Sequence, residues 1–284
     1  MIDKLCIVGV GLIGGSLARA LKHAKFVTHV TAVGRDVTQL ERAVELGVVD
    51  SFEVSIAKAV SDADVVVVAV PVGSMKAVFN ELADSIKPGA VVTDVGSVKG
   101  NVVSDARQEF GEKFSSFVPG HPIAGTEQSG VEASFAELYQ GQRVILTPLE
   151  ETATVATQAI TEMWHAAGAD VVALSVEHHD EVLAATSHLP HALAFTLVDT
   201  LAQMHEHREI FQFAAGGFKD FTRIASSDPQ MWHDICLHNS EALLDMLNRF
   251  SHDINKLTDA IKDKDSDYIL KMFQRAKTAR DQNC

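Results

Sequence analysis

Gly9 to Ser16 reads GVGLIGGS and joins a β-branched run, Leu5–Val8, to a helical pattern, Ser16–Ala24. Three glycines fall as G-x-G-x-x-G at Gly9, Gly11 and Gly14. Taken alone the pattern is weak, because glycine-rich turns without a ligand are common. Between a strand and a helix each glycine has a mechanical reason. Gly9 allows the tight turn, Gly11 lets the backbone approach a pyrophosphate, and Gly14 lets the helix lie close on the strand. Leu12 and Ile13 are then part of the cradle, and a dinucleotide is the ligand it fits.

Outward from that turn, β-branched runs alternate with helical patterns, which is the signature of a parallel sheet with crossover helices. The expected strands are Leu5–Val8, Val30–Val33, Val65–Val70, Val91–Val95, Phe117–Val118, Val144–Thr147 and Val171–Leu174. Helix-like stretches between them include Ser16–Ala24, Val37–Leu46, Ser74–Ile86 and Glu151–Ala167. Asp36 ends the second strand region, 22 residues past Gly14. An acid there suits the adenosine ribose hydroxyls and favours NAD, while the neighbouring Arg35 would accept a 2′-phosphate and keeps NADP open.

After Leu174 strand signals stop. Ser187 is placed to cap a helix through His191 and Phe195, with Pro190 in its first turn. Asp228-Pro229 reads as a cap and first helical residue. From Trp232 to Ile261 apolar residues follow steps of three and four, a seam of about 30 residues that needs neighbouring helices or a second subunit to cover it. The expected fold is therefore α/β: a Rossmann-type nucleotide-binding domain, residues 1–174, and an all-helical dimerisation domain, residues 175–284.

Composition narrows the function. A formal charge of −14 argues against nucleic acid or an anionic membrane as the partner. The longest apolar run, Val65–Val72, is too short to span a bilayer, and a strand pattern from Leu5 leaves no room for a signal peptide. Cys6, Cys236 and Cys284 are few and far apart, which suits a reducing cytoplasm and offers no metal spacing.

In open α/β sheets ligands bind beyond the carboxyl ends of the strands. Three such ends carry Ala69-Val70-Pro71, Asp94–Lys99 and Pro119–Pro122, so Pro71, Ser97 and His121 should face one site. His121, pinned in a loop between Gly120 and Pro122, is either a turn histidine or a base. Ser97 either caps a helix from Val98 or holds the imidazole or a substrate hydroxyl. His188 and His191, three apart, suit a pocket wall better than a metal, since no third ligand clusters with them. Arg223, among Phe221, Ile224 and Ala225, needs an anion: a protein carboxylate such as Asp180, or a substrate carboxylate. Lys219 reads as a solvated charge.

GVGLIGGS, DVGSVK (94–99), GHPIAGTEQSG (120–130), SHLPHALA (187–194) and GGFKDFTRIA (216–225) together resemble the prephenate and arogenate dehydrogenases of tyrosine biosynthesis. The resemblance implies oxidative decarboxylation of a cyclohexadienol by a homodimer. His121 would take the ring hydroxyl proton, with Ser97 supporting it. Arg223 would bind a substrate carboxylate, with His191 as a second polar contact and His188 lining the pocket. Glu127 would be a gate at the mouth or a structural carboxylate, Asp180 an acid steadying the arginine, and Trp232 an aromatic near the site. No separate tyrosine-sensing domain is expected beyond Tyr268–Ala279, so feedback would act at the site. The rival readings are another two-domain hydroxyacid dehydrogenase or imine reductase, and an NAD-binding sensor without turnover.

Overall fold

Strands and helices alternate through the first half of the chain: β1 (Ile2–Val8), α1 (Leu12–His23), β2 (Val27–Val33), α2 (Val37–Glu45), β3 (Ser51–Glu53), α3 (Ile56–Val60), β4 (Val65–Val68), α4 (Val72–Ala83), β5 (Val91–Asp94), α5 (Gly100–Phe110) and β6 (Phe117–Val118). This is a computed structural model, and it describes residues 1–205 and 207–283. The six strands form one parallel sheet in the order β3-β2-β1-β4-β5-β6. That order reverses between β1 and β4, and ligands of doubly wound sheets sit beyond the strand ends at such a reversal.

The sheet is covered on both faces, which explains its continuous apolar runs. In β4, Val65 and Val67 pack with Leu17, Leu21 and Trp164 on one face. Val66 and Val68 pack with Met75, Phe79 and Phe117 on the other. Each such buried valine is worth roughly 1.5–3 kcal/mol.

A second, three-stranded sheet follows: β7 (Gly120–Pro122), β8 (Arg143–Leu146) and, after α6 (Thr154–Ala166), β9 (Asp170–Ala173). β7 runs antiparallel to β8, with His121 opposite Ile145. His121 is therefore not a loop residue as expected, because backbone pairing to β8 holds it extended.

The helical half of the sequence opens with α7 (Val176–Leu183), a π-turn at Ala184–His188 and α8 (Leu189–Ala202). Ser187 does not cap a helix start. It lies inside the π-turn, whose extra residue lets the ladder pass Pro190, a residue with no N–H to give. Three shorter helices complete this stretch: α9 (His207–Gln212), α10 (Gly216–Thr222) and α11 (Pro229–His238). The Asp228 carboxylate caps α11 by accepting from the Met231 N–H at 2.8 Å.

Packing gathers the chain into two compact units, Met1–Ser240 and Glu241–Cys284. The second comprises most of α12 (Ser240–Asp263) and α13 (Ser266–Asn283). The apolar seam from Trp232 is thus not one helix. It breaks at Asn239, whose φ of −115° and ψ of 37° are non-helical. In the second unit Leu244, Phe250, Ile254, Ile261, Leu270 and Phe273 are exposed in the single chain.

Candidate active site

The glycine turn has the geometry that its spacing requires. Gly9 adopts φ +96°, and a Cβ there would stand 2.5 Å from the Ala69 carbonyl. A Cβ on Gly14 would stand 2.4 Å from the Gly9 carbonyl and 2.8 Å from Ile7 Cγ2, so helix and strand touch only because it is absent. Gly11 is different, for nothing among the described residues lies within 4 Å of its would-be Cβ. It caps α1 without a side-chain bond, which leaves that helix end open to an anion. Leu12 is buried beneath the turn and Ile13 packs against the same core. Asp36 and Arg35 are both exposed at the end of β2. Asp36 Oδ1 accepts from the Gln39 N–H at 3.2 Å, so the acid also caps α2. Pro71 is exposed and starts α4.

His121 is 8% exposed and lies three residues beyond β6. Its Nδ1 is 2.8 Å from His179 Nε2, and His179 Nδ1 is 2.7 Å from Asp180 Oδ1. Asp180 is itself tied down, for it accepts from the main-chain N–H of Lys99 at 2.9 Å and of Gly100 at 2.8 Å. Those are the first N–H groups of α5, so Asp180 caps that helix from across the fold. Three hydrogen bonds outweigh desolvation and hold the Asp180 carboxyl below its usual range. Burial drives His121 well below the ordinary imidazole value, with His179, Lys99 and His188 adding to the effect. Burial also lowers His179, although Asp180 pulls the other way.

Beneath this chain lies a buried ion pair. The Lys99 ammonium contacts the Asp94 carboxylate, both fully buried, and donates to the Gly120 carbonyl at 2.8 Å. Asp94 accepts in addition from the N–H groups of Gly96 at 2.7 Å and Gly120 at 3.1 Å. The pair clamps the end of β5 to the residue preceding His121. Burial outweighs Asp94 and lowers the Lys99 ammonium from its usual range.

His188 is fully buried with Nδ1 3.0 Å from the Asn239 amide, which also donates to the Asp180 carbonyl. Burial pushes His188 down to about 4. His191 stacks on Trp232 with ring centroids 3.6 Å apart and donates from Nδ1 to the Ser187 carbonyl at 2.9 Å. Trp232 packs with Val98 and Ile235, next in sequence to the half-buried Ser97.

Residues 17–173 match the family description "Prephenate dehydrogenase, nucleotide-binding domain", and residues 175–275 match "Prephenate dehydrogenase, dimerization domain". The chain belongs to the prephenate dehydrogenase family. A cyclohexadienyl dehydrogenase of Zymomonas mobilis is 39% identical over 97% of this chain and 94% of its own length. A prephenate dehydrogenase of Bacillus subtilis is 37% identical over 99% of this chain and 76% of its own. The solved prephenate dehydrogenase of Aquifex aeolicus, in complex with hydroxyphenyl propionate and NAD+, superposes with a TM-score of 0.93 at 39% identity, covering 99% of this chain and 98% of that one.

Within this prephenate dehydrogenase-family chain two expected contacts differ. Arg223 was expected to need an anion because apolar neighbours would bury it, with Asp180 as a candidate. Its side chain is instead 63% exposed and its guanidinium meets Glu127, itself 39% exposed. Asp180 is committed to His179 and α5. Ser97 is expected to hold the imidazole or a substrate hydroxyl; among the described residues the Nδ1 partner of His121 is His179, which leaves the hydroxyl as the reading for Ser97. Lys219 is exposed, as a solvated charge would be. Sequence reading gave no role to His179, Asn239 or the Lys99 side chain. The adjacent pair His179-Asp180 was a signal for the first; nothing local marks the other two.

Proposed function

We propose that this chain catalyses the NAD-dependent oxidative decarboxylation of prephenate, arogenate or both, and works as a homodimer through its helical part. The observation that carries the reading is His121: a buried neutral imidazole, fixed by strand pairing beyond the end of the parallel sheet, with a carboxylate-backed partner on Nδ1. Such a group accepts a proton at neutral pH without first having to lose one.

The glycine turn fits a dinucleotide, since the space beside Gly11 is where a pyrophosphate would meet free N–H groups of α1. Gly9, Gly11, Leu12, Ile13 and Gly14 would form the cradle, Pro71 a wall, and Asp36 would keep one carboxylate oxygen for ribose, with Arg35 beside it. Bound there, NAD supplies the hydride acceptor. His121 takes the hydroxyl proton as the ring carbinol becomes a carbonyl, and loss of CO2 then restores an aromatic ring. Ser97 would steady the substrate hydroxyl. Arg223 would exchange Glu127 for a substrate carboxylate, which makes Glu127 the gate. Trp232, His191 and His188 would wall the ring, and Asp180 acts from behind rather than on Arg223.

The dimerisation-domain match and the exposed apolar residues of α12 and α13 support the homodimer. No helix among the described residues is long and apolar enough to cross a membrane. The test is formation of the reduced coenzyme, NADH or NADPH, with each substrate and each coenzyme, compared as kcat/KM. Turnover of prephenate or arogenate is expected, with NAD preferred. No turnover of either would overturn the reading.

A further inference from the structure

The hydrogen-bond chain behind His121 settles where each proton must sit. Asp180 accepts from Lys99 N and Gly100 N and has only acceptors to offer, so His179 must present N–H to it from Nδ1. A neutral His179 then has a bare Nε2, which is an acceptor. His121 Nδ1, 2.8 Å away, must supply the proton. The Nε2 of His121 is thereby left as the lone pair. The reverse arrangement needs a doubly protonated His179, which burial disfavours more than Asp180 favours it.

We infer that His179, backed by Asp180, is a positioning residue that holds His121 in the Nδ1–H tautomer, keeping Nε2 free for the substrate hydroxyl. The inference rests on His121 being the base of the proposed reaction. During turnover the hydroxyl O–H bond breaks and an Nε2–H bond forms. The resulting imidazolium keeps its Nδ1–H bond to His179, and the Asp180 carboxylate offsets the new charge through that ring. Two buried aromatic rings in sequence separate the anion from the substrate, so Asp180 can stabilise the cation without competing for the hydroxyl. Burial, the charge His179 itself would carry when protonated, the Lys99 ammonium and His188 all disfavour protonation of His121, so only a neutral His179 that accepts at Nε2 can support it. His179 and Asp180 are therefore the route by which the protonated ring gains support.

One spectroscopic measurement and three variants test this. In the intact, nitrogen-15-labelled wild-type protein, the His121 ring is expected to show a protonated Nδ1 and a bare Nε2 by long-range nitrogen–proton correlation. An Nε2–H tautomer overturns the inference without any variant. His179→Ala is expected to lower kcat about 10- to 100-fold, part of the 10²–10⁴ typical of a general base, with KM little changed. The acid limb of its kcat/KM profile should move to lower pH. His179→Gln, whose Oε1 can stand where Nε2 stood and accept the Nδ1 proton, should recover most of the loss. Equal losses in the two variants, or an unmoved pH limb, point to mere packing and overturn it. His121→Asn separates the two levels: if it keeps turnover, the base assignment itself fails. If it abolishes turnover while His179→Ala does not lower it, only the role of His179 fails.

Discussion

Lys99→Met is the substitution whose cost can be worked most directly from the structure. It deletes an ammonium that is fully buried against a fully buried carboxylate. Asp94 would keep two main-chain donors, Gly96 and Gly120, while the Gly120 carbonyl would lose its 2.8 Å partner. Breaking a buried pair by removing one member costs about 3–5 kcal/mol, because the remaining charge stays uncompensated. The two retained N–H bonds pull towards the lower figure, and the stranded carbonyl, worth about 1–3 kcal/mol, pulls back. At about 2–4 °C per kcal/mol for a domain of this size, Tm should fall by roughly 6–20 °C. Thermal unfolding followed by circular dichroism reads this directly. The control is Asp94→Asn with Lys99→Met, which removes both charges and should recover more than half of the loss, since an apolar or neutral pair is close to isoenergetic with a buried ionic one. A single variant losing under about 1 kcal/mol, or a double variant no better than the single, would refute the electrostatic reasoning.

Three further expectations concern titration, substrate binding and the cofactor turn. His188 sits at about 4 in the folded protein against an ordinary 6.5. The unfolded chain therefore binds the extra proton first, and stability should fall as pH drops from about 6.5 to 4 by roughly 3 kcal/mol from this residue, then flatten. Urea midpoints at closely spaced pH values check it, and a flat profile across that window contradicts the burial argument. Arg223→Ala should chiefly raise KM, whereas Glu127→Gln should lower it by removing the carboxylate that occupies the guanidinium. Steady-state kinetics decide, and an unaltered KM in Arg223→Ala with lost stability would make the pair structural. Gly14→Ala drives a methyl into the Gly9 carbonyl and Ile7. Overpacking of that kind costs about 1–3 kcal/mol, and NAD affinity by fluorescence titration should fall with it.

How much of this was legible beforehand depended on whether a residue's signal was local. The nucleotide-binding half was readable because a parallel sheet buried on both faces writes itself as runs such as Val65–Val68, and because the glycine spacing answers to contacts one turn away. Short elements without such runs were not seen: β3, three residues on the sheet edge, and β7, where Gly and Pro flank the histidine. His121 could be singled out by type and placement, yet its partner sits 58 residues on, and no spacing rule connects them. The exposure of Arg223 is not legible locally, because its apolar sequence neighbours are not its spatial ones. The seam past Trp232 looked unbroken because Asn239 fits a step of four, although its side chain is committed to Asp180 and His188 rather than to the helix.

The cap that Asp180 places on α5 also sets an order of events during synthesis. The last residue of α5, Phe110, leaves the ribosome about 70 residues before its carboxylate partner, a delay of roughly 4–14 s at 5–20 residues per second. Throughout that interval the N–H groups of Lys99 and Gly100 lack their Asp180 acceptor, and His121, made shortly after Phe110, lacks its His179 partner. A nascent chain halted before α7 would thus hold all six strands of the parallel sheet beside a His121 without its ring partner. Elongation through α7, more than the folding of the nucleotide-binding sheet, is what completes the hydrogen-bonded chain behind His121.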